Sequence, residues 1–310
     1  MDRIGRAVGA VVGSAVGDAL GAPYEFGPAG AFSAAFPGGG NMRPGGGWEA
    51  GEATDDTQMA VHVAESLLDR GTLDLADVFD RFRCWAAAEP KDIGLQTEAV
   101  LGAGLPWDQA AAAHFRSTGR AAGNGSLMRA TPSAVHFARH GRAATMDAAR
   151  CISALTHGDP AAGEGTAIFH DLIRIALDGG DPLAALPEIL AHVEPGHRER
   201  YATVLAPGWH PDQATEVNGA VWPCLGPAVW AVRTTSSYEE ALRAAVDVGG
   251  DTDTVAAVTG GLAGAVHGID AIPARWLEPL HVPLPGATPA RVLRADDLRV
   301  LAERLESAPA

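Results

Sequence analysis

The chain has 310 residues, 47% of them hydrophobic and 20% charged, which suits a folded domain or two and excludes a disordered tail. Its 38 acidic against 23 basic residues give a formal charge of −15. That balance opposes general affinity for nucleic acid or any other polyanion, while leaving room for one modified group at a local site.

In chain order, Arg3 and Arg6 precede a glycine- and alanine-rich segment that Asp18 interrupts, so the start reads as a helix over 4–20 and not as a secretory signal. A glycine- and proline-rich stretch over 36–53 predicts a long irregular loop, suited to closing over a substrate or to serving as a connection. Thr54-Asp55-Asp56-Thr57 follows it and leads into apolar helical spacing over 57–69, with a further helix over 74–88. Helical spacing resumes over 143–155, 161–178, 182–193, 218–232 and 237–248. Asp159 reads as an N-cap ahead of Pro160, and Ser237 with Glu240 as a capping box.

A second acidic cluster, Asp251-Thr252-Asp253-Thr254, follows Gly249-Gly250 and opens a helix over 254–267. Gly260, Gly261 and Gly264 within it predict a buried helix packed closely on its neighbours, and a last helix covers 296–306. No run is long and apolar enough for a membrane helix. Alternating strand patterns are scarce, which predicts an all-α fold, compact and single-domain over residues 1–310. Cys84, Cys151 and Cys224 form neither a CxxC pair nor a disulfide framework, so buried free thiols in a reducing, cytoplasmic setting are expected.

Each acidic cluster alone reads as a helix cap. Their recurrence points further, because adjacent carboxylates repel and are costly to desolvate unless something neutralises them. Four carboxylates with several hydroxyls form a hard oxygen set, suited to Mg²⁺ or Mn²⁺ rather than zinc. If the fold brings the clusters together, two divalent cations can share them. No HExxH spacing and no GxSxG elbow occurs, which removes zinc-protease and serine-hydrolase readings.

Four ordered motifs carry a resemblance. Gly13 through Gly21 is followed by Glu25. Thr54-Asp55-Asp56-Thr57-Gln58-Met59 comes next, then Gly123-Asn124-Gly125-Ser126-Leu127-Met128-Arg129, and finally Gly250 through Thr254. Together the series resembles the ADP-ribosylglycohydrolase family, whose members include the dinitrogenase reductase activating glycohydrolase and the ADP-ribosyl-acceptor hydrolases. The resemblance implies a helical fold with a binuclear Mg²⁺ or Mn²⁺ centre that hydrolyses the C1″ glycosidic bond of an ADP-ribosylated protein, nucleic acid or small molecule and releases ADP-ribose. It implies Thr54, Asp55, Asp56, Asp251, Asp253 and Thr254 as metal-binding residues.

By the same resemblance Glu25 is a gate or acid/base residue, with a solvent-facing loop carboxylate as its plainer reading, and Asp92 in Lys91-Asp92-Ile93-Gly94-Leu95 a base or proton shuttle, with a helix N-cap as its plainer reading. Leu95 stands where arginine-specific bacterial members usually carry Asn or another polar residue, which leaves the acceptor open. Gly123, Asn124, Gly125, Ser126 and Met128 are expected on the substrate, as a turn into a helix whose amides meet the diphosphate. Arg129 reinforces that contact or makes a structural ion pair, and His157 meets the nucleotide or serves structure alone. A non-catalytic ADP-ribose-binding relative and an O-acetyl-ADP-ribose hydrolase are the alternatives.

Overall fold

Every fourth residue from Gly9 to Gly21 is a glycine, and this stripe determines how the molecule packs. The helix Arg3–Gly21 runs antiparallel to the helix Thr252–His267 with their backbones almost touching. A Cβ placed on Gly9 would lie 2.4 Å from Gly264 O, one on Gly13 2.6 Å from Gly260 O, and one on Gly17 2.0 Å from Ala256 O. Only glycine permits such an approach. Tyr238 Oη donates to Gly13 O at 2.8 Å beside the seam. The antiparallel sense sets the C-terminal end of the first helix beside the acidic start of the other.

The structure, a computed structural model, describes residues 2–286 and 290–308. Helices Asp55–Arg70, Thr131–Phe137, Pro160–Leu177, Val221–Thr234 and Tyr238–Val246 pack around the central pair, giving a compact helical architecture. The fully buried faces of Phe79, Phe82, Trp85, Phe169 and Trp276 fill the core. Trp85 Nε1 donates to Gln58 Oε1 at 2.8 Å, so the polar residue after the first acidic cluster closes the core beneath it. No helix of the described residues is long and apolar enough to cross a membrane.

The expected helices are present, with shifted bounds. Leu186–Ala191 is shorter than the expected 182–193, because Asp181 caps a turn by accepting from the Leu183 and Ala184 amides at 2.9 and 3.0 Å. Among the described residues, four helices of seven residues or more fall outside the expected spans: Leu95–Leu101, Ala110–Thr118, Thr131–Phe137 and Pro195–Val204. They are short, and the second is alanine-rich and the last polar, so neither carries an apolar stripe. An antiparallel strand pair, His281–Leu284 with Arg291–Arg294, is the described exception to an otherwise helical fold.

Asp159 accepts from Ala161 N at 2.9 Å ahead of Pro160, as expected. The capping box at Ser237 forms by half. Ser237 Oγ accepts from Glu240 N at 3.2 Å, but the Glu240 carboxylate reaches one residue further back, to the Ser236 amide and hydroxyl. Among the cysteines only Cys224 is buried, and Cys84 and Cys151 are exposed. Their helices turn those two positions outward, which corrects the expectation of three buried thiols.

Candidate active site

Asp18 is a carboxylate inside an apolar helix, fully buried, and burial raises its pKa to about 6 against hydrogen bonds that lower it. It accepts from the backbone amides of Thr54 and Thr57 at 3.1 Å and from the Thr57 hydroxyl. Asp18 thereby anchors the start of the helix Asp55–Arg70 to the central pair. The sequence carried a signal for this role, since a charge in an apolar helical run demands partners. Thr54 is the N-cap of that helix, accepting from Asp56 N at 3.3 Å, and it lies buried behind the cavity wall.

Glycines position the second cluster. Gly249 and Gly250 adopt φ of +77° and +71°, which side chains other than glycine rarely accept. Gly250 O accepts from Phe26 N at 2.6 Å and Gly27 O accepts from Gly250 N at 3.1 Å. This tie fixes the segment carrying Glu25 against the turn that precedes Asp251. Asn218 completes the turn, donating to Gly249 O at 2.8 Å and accepting from Asp251 N at 3.0 Å. Asp251 is the N-cap residue by position but makes no side-chain cap bond; its Oδ2 accepts from Asn124 Nδ2 at 2.9 Å.

The two acidic clusters meet in one cavity of about 890 Å³. Thr254 Oγ1 donates to Asp56 Oδ1 at 3.5 Å, joining residues 198 apart in sequence. Glu25, Asp55, Asp56, Asp92, Asp251 and Asp253 all line the cavity. One oxygen each from Glu25, Asp251 and Asp253 falls within 4.8 Å of the others. Burial, then the charges of Asp251, Asp92, Asp55 and Asp18, raise the Glu25 pKa to about 8. Burial and neighbouring carboxylates raise Asp55 to about 7 and push Asp56 and Asp253 well above the usual carboxylate range.

A hard divalent cation fits this donor set. Asp56 Oδ2 is buried without a hydrogen-bond partner among the described residues, an orphaned carboxylate oxygen that water or a cation must satisfy. The lining donors are carboxylate and hydroxyl oxygens, as Mg²⁺ or Mn²⁺ requires.

The remaining expected residues divide. Asp92 lines the cavity and is exposed, whereas the N-cap of the helix Leu95–Leu101 is Gly94, so Asp92 is not a cap. Gly123, Asn124, Gly125, Met128 and His157 also line it. A Cβ on Gly125 would lie 3.0 Å from His157 Cε1 and one on Gly123 3.2 Å from its Nε2, so the two glycines let the imidazole pack on their backbone. Burial, with the charge of Arg129, keeps His157 well below its ordinary pKa and therefore neutral.

Three expectations differ. Asn124–Ser126 is a single 3₁₀ turn, and the following helix begins only at Thr131, so no helix start faces the cavity there. Ser126 lies behind the lining, its hydroxyl accepting from Ser153 Oγ at 2.8 Å. Among the described residues Arg129 reaches neither the cavity nor an acidic partner within salt-bridge distance. It is buried, donates to Thr156 Oγ1 at 2.7 Å and stacks 4.6 Å from the Phe82 ring centroid.

Phe26, Trp48, Lys91 and Leu95 complete the wall. Phe26 sits at φ +60° and is 82% exposed, and Leu95 is 85% exposed, so apolar side chains mark the mouth. Trp48 comes from the 36–53 stretch, which forms one wall of the cavity and whose backbone is pinned where Trp276 Nε1 donates to Gly40 O at 2.8 Å.

Comparison with known proteins agrees with this architecture. The ADP-ribosyl-[dinitrogen reductase] glycohydrolase of Rhodospirillum rubrum is 30% identical over 281 residues, covering 89% of this chain and 90% of that protein. The ADP-ribosylarginine hydrolase Tri1 of Pseudomonas putida (strain GB-1) is 31% identical over 74% of this chain and 62% of its own length. The human ADP-ribosylhydrolase ARH3 is 26% identical over 72% of this chain and 73% of its own. A solved ADP-ribosylglycohydrolase-related protein complex superposes with a TM-score of 0.76 at 34% identity, covering 98% of each chain. The family description ADP-ribosylglycohydrolase matches residues 1–310 in full. The chain belongs to the ADP-ribosylglycohydrolase family.

Proposed function

We propose that residues 1–310 act as one domain that hydrolyses the C1″ glycosidic bond of an ADP-ribosylated protein, nucleic acid or small molecule, releasing ADP-ribose with the help of two divalent cations, Mg²⁺ or Mn²⁺. The observation that carries this reading is the convergence of both acidic clusters on one cavity, with Thr254 Oγ1 and Asp56 Oδ1 3.5 Å apart. Asp55, Asp56, Asp251, Asp253 and Thr254 would hold the cations, with Thr54 behind the wall capping the helix that presents Asp55 and Asp56. Bound there, they would supply Lewis-acid charge to orient the ribose hydroxyls and acidify the attacking water.

The chain's own residues do the rest. Cleavage at C1″ develops oxocarbenium character, and the carboxylates crowding the cavity favour positive charge at that carbon. Glu25, among Asp251, Asp253 and the solvent side, is placed to hold a water or a ribose hydroxyl and exchange its proton. Asp92 offers a further carboxylate in the cavity lining for a proton shuttle. Gly123, Asn124, Gly125 and Met128 shape the substrate wall, and neutral His157 offers a ring face and nitrogen to the nucleotide. The presence of both acidic motifs and Glu25 on one cavity favours turnover over binding alone. Exposed thiols at Cys84 and Cys151 suit a reducing, cytoplasmic setting.

Defined ADP-ribosylated arginine, serine, nucleobase and O-acetyl substrates, incubated with Mg²⁺ or Mn²⁺ and with chelator, test this directly. Cation-dependent ADP-ribose release from at least one is expected. ADP-ribose binding without release from any would establish the non-catalytic alternative.

A further inference from the structure

Lys91 is the one cationic side chain in the described lining of a cavity that holds six carboxylates, since His157 is neutral there. Its Nζ lies 2.9 and 2.8 Å from Glu52 Oε1 and Oε2 and 4.6 Å from the centroid of the Trp48 ring. Glu52 is buried, while the Lys91 side chain remains 44% exposed. Glu52 Oε2 also accepts from Glu49 N at 2.8 Å, so the carboxylate is held independently of the lysine.

An ammonium has three N–H donors, and Glu52 engages two of them. The third is the only cationic donor that the described lining offers. A diphosphate entering among carboxylates is repelled unless a donor meets its oxygens. The Trp48 ring face holds the ammonium, which reduces the entropy a long lysine loses on engaging a ligand, while Glu52 offsets part of its charge.

We propose that Lys91 is a specificity-determining residue that donates to a diphosphate oxygen of the substrate, with Trp48 holding the ammonium in position and Glu52 offsetting part of its charge. This rests on reading the cavity as an ADP-ribosyl site. A purely structural role, tying Trp48 and Glu52 to the loop of Lys91, makes the opposite prediction for Glu52. Removing the Glu52 charge loosens a structural tie, but it leaves the Lys91 charge less neutralised and more available to an anion.

The test is calorimetric titration of the full chain in Mg²⁺ with ADP-ribose and, separately, with uncharged adenosine, using wild type, Lys91→Met, Lys91→Arg and Glu52→Gln of verified thermal stability. Lys91→Met should raise the ADP-ribose Kd about tenfold, the scale of one charge-assisted hydrogen bond, and flatten its salt dependence. Lys91→Arg should restore binding, Glu52→Gln should tighten it, and the adenosine Kd should not move in Lys91→Met. A wild-type Kd for ADP-ribose in Lys91→Met, an equal loss for adenosine, or weakening in Glu52→Gln would each overturn the proposal. Wild type that binds ADP-ribose without hydrolysing any substrate defeats the enzymatic reading alone, whereas wild type that binds no ADP-ribose defeats both.

Discussion

Gly17→Ala and Gly196→Ala are the same chemical change with opposite expected signs. At Gly17 the added Cβ would lie 2.0 Å from Ala256 O, 2.5 Å from Ala256 C and 3.0 Å from Ala257 N. All three are backbone atoms that no rotamer change can move, so the two central helices must separate by roughly 1 Å or more to reach ordinary contact. Overpacking of this kind costs about 3 kcal/mol, and alanine's better helix propensity returns about 1 kcal/mol, leaving roughly 2 kcal/mol of destabilisation. In a chain of this size that lowers Tm by about 4 °C. Asp18 adjoins Gly17, and Asp253 rides on the opposing helix, so turnover should fall with stability. Gly196 lies in a helix with open space around it and no positive φ, so alanine there should raise stability by roughly 0.5 kcal/mol. Thermal and denaturant unfolding of both variants, with turnover on the same preparations, provides the assay. A wild-type Tm for Gly17→Ala, or an equal loss in Gly196→Ala, would refute the packing argument.

Asp56→Asn and Asp253→Asn should each lower turnover by 10²-fold or more, on the order expected when a charged active-site group is lost, while circular dichroism shows the helical content retained; wild-type rates at limiting cation would contradict the assignment. Glu25→Gln should depress single-turnover cleavage more than ADP-ribose affinity, since Gln keeps the size but loses the basicity; unchanged cleavage would remove its catalytic role. The folded-state pKa values of Asp18, Asp55 and Glu25 rise to about 6, 7 and 8 from 3.8, 3.8 and 4.5. The folded chain therefore holds protons that the unfolded chain releases, and in chelator its stability should fall as pH rises from about 4 towards 8. Added Mg²⁺ should stabilise more at the alkaline end of that window than at the acidic end, and thermal unfolding that is flat across it would sink this reading.

Local signals made much of this legible from residues alone. Apolar spacing located the long helices, and the paired Asp-Thr clusters flagged a hard-oxygen site before any geometry was known. The four-residue recurrence of Gly9, Gly13, Gly17 and Gly21 was visible too, but a stripe does not say which partner it meets; that pairing with Gly260 and Gly264 is a long-range fact. Trp48 and Lys91 escaped for the same reason, as their joint wall depends on two loops meeting. Arg129 sits in a motif beside phosphate-friendly glycines, yet the turn points it into the core against Phe82. Short helices such as Ala110–Thr118 carry too little amphipathic pattern to be seen without their tertiary neighbours.

Anomalous scattering from a crystal of the chain grown in Mn²⁺ tests the central claim most directly, because it locates cations without assuming an activity. The account predicts two peaks in the cavity, roughly 3.5–4 Å apart, between Asp55 and Asp56 on one side and Asp251 and Asp253 on the other. Fully occupied Mn²⁺ elsewhere on the chain, with no peak among these four carboxylates, would contradict it.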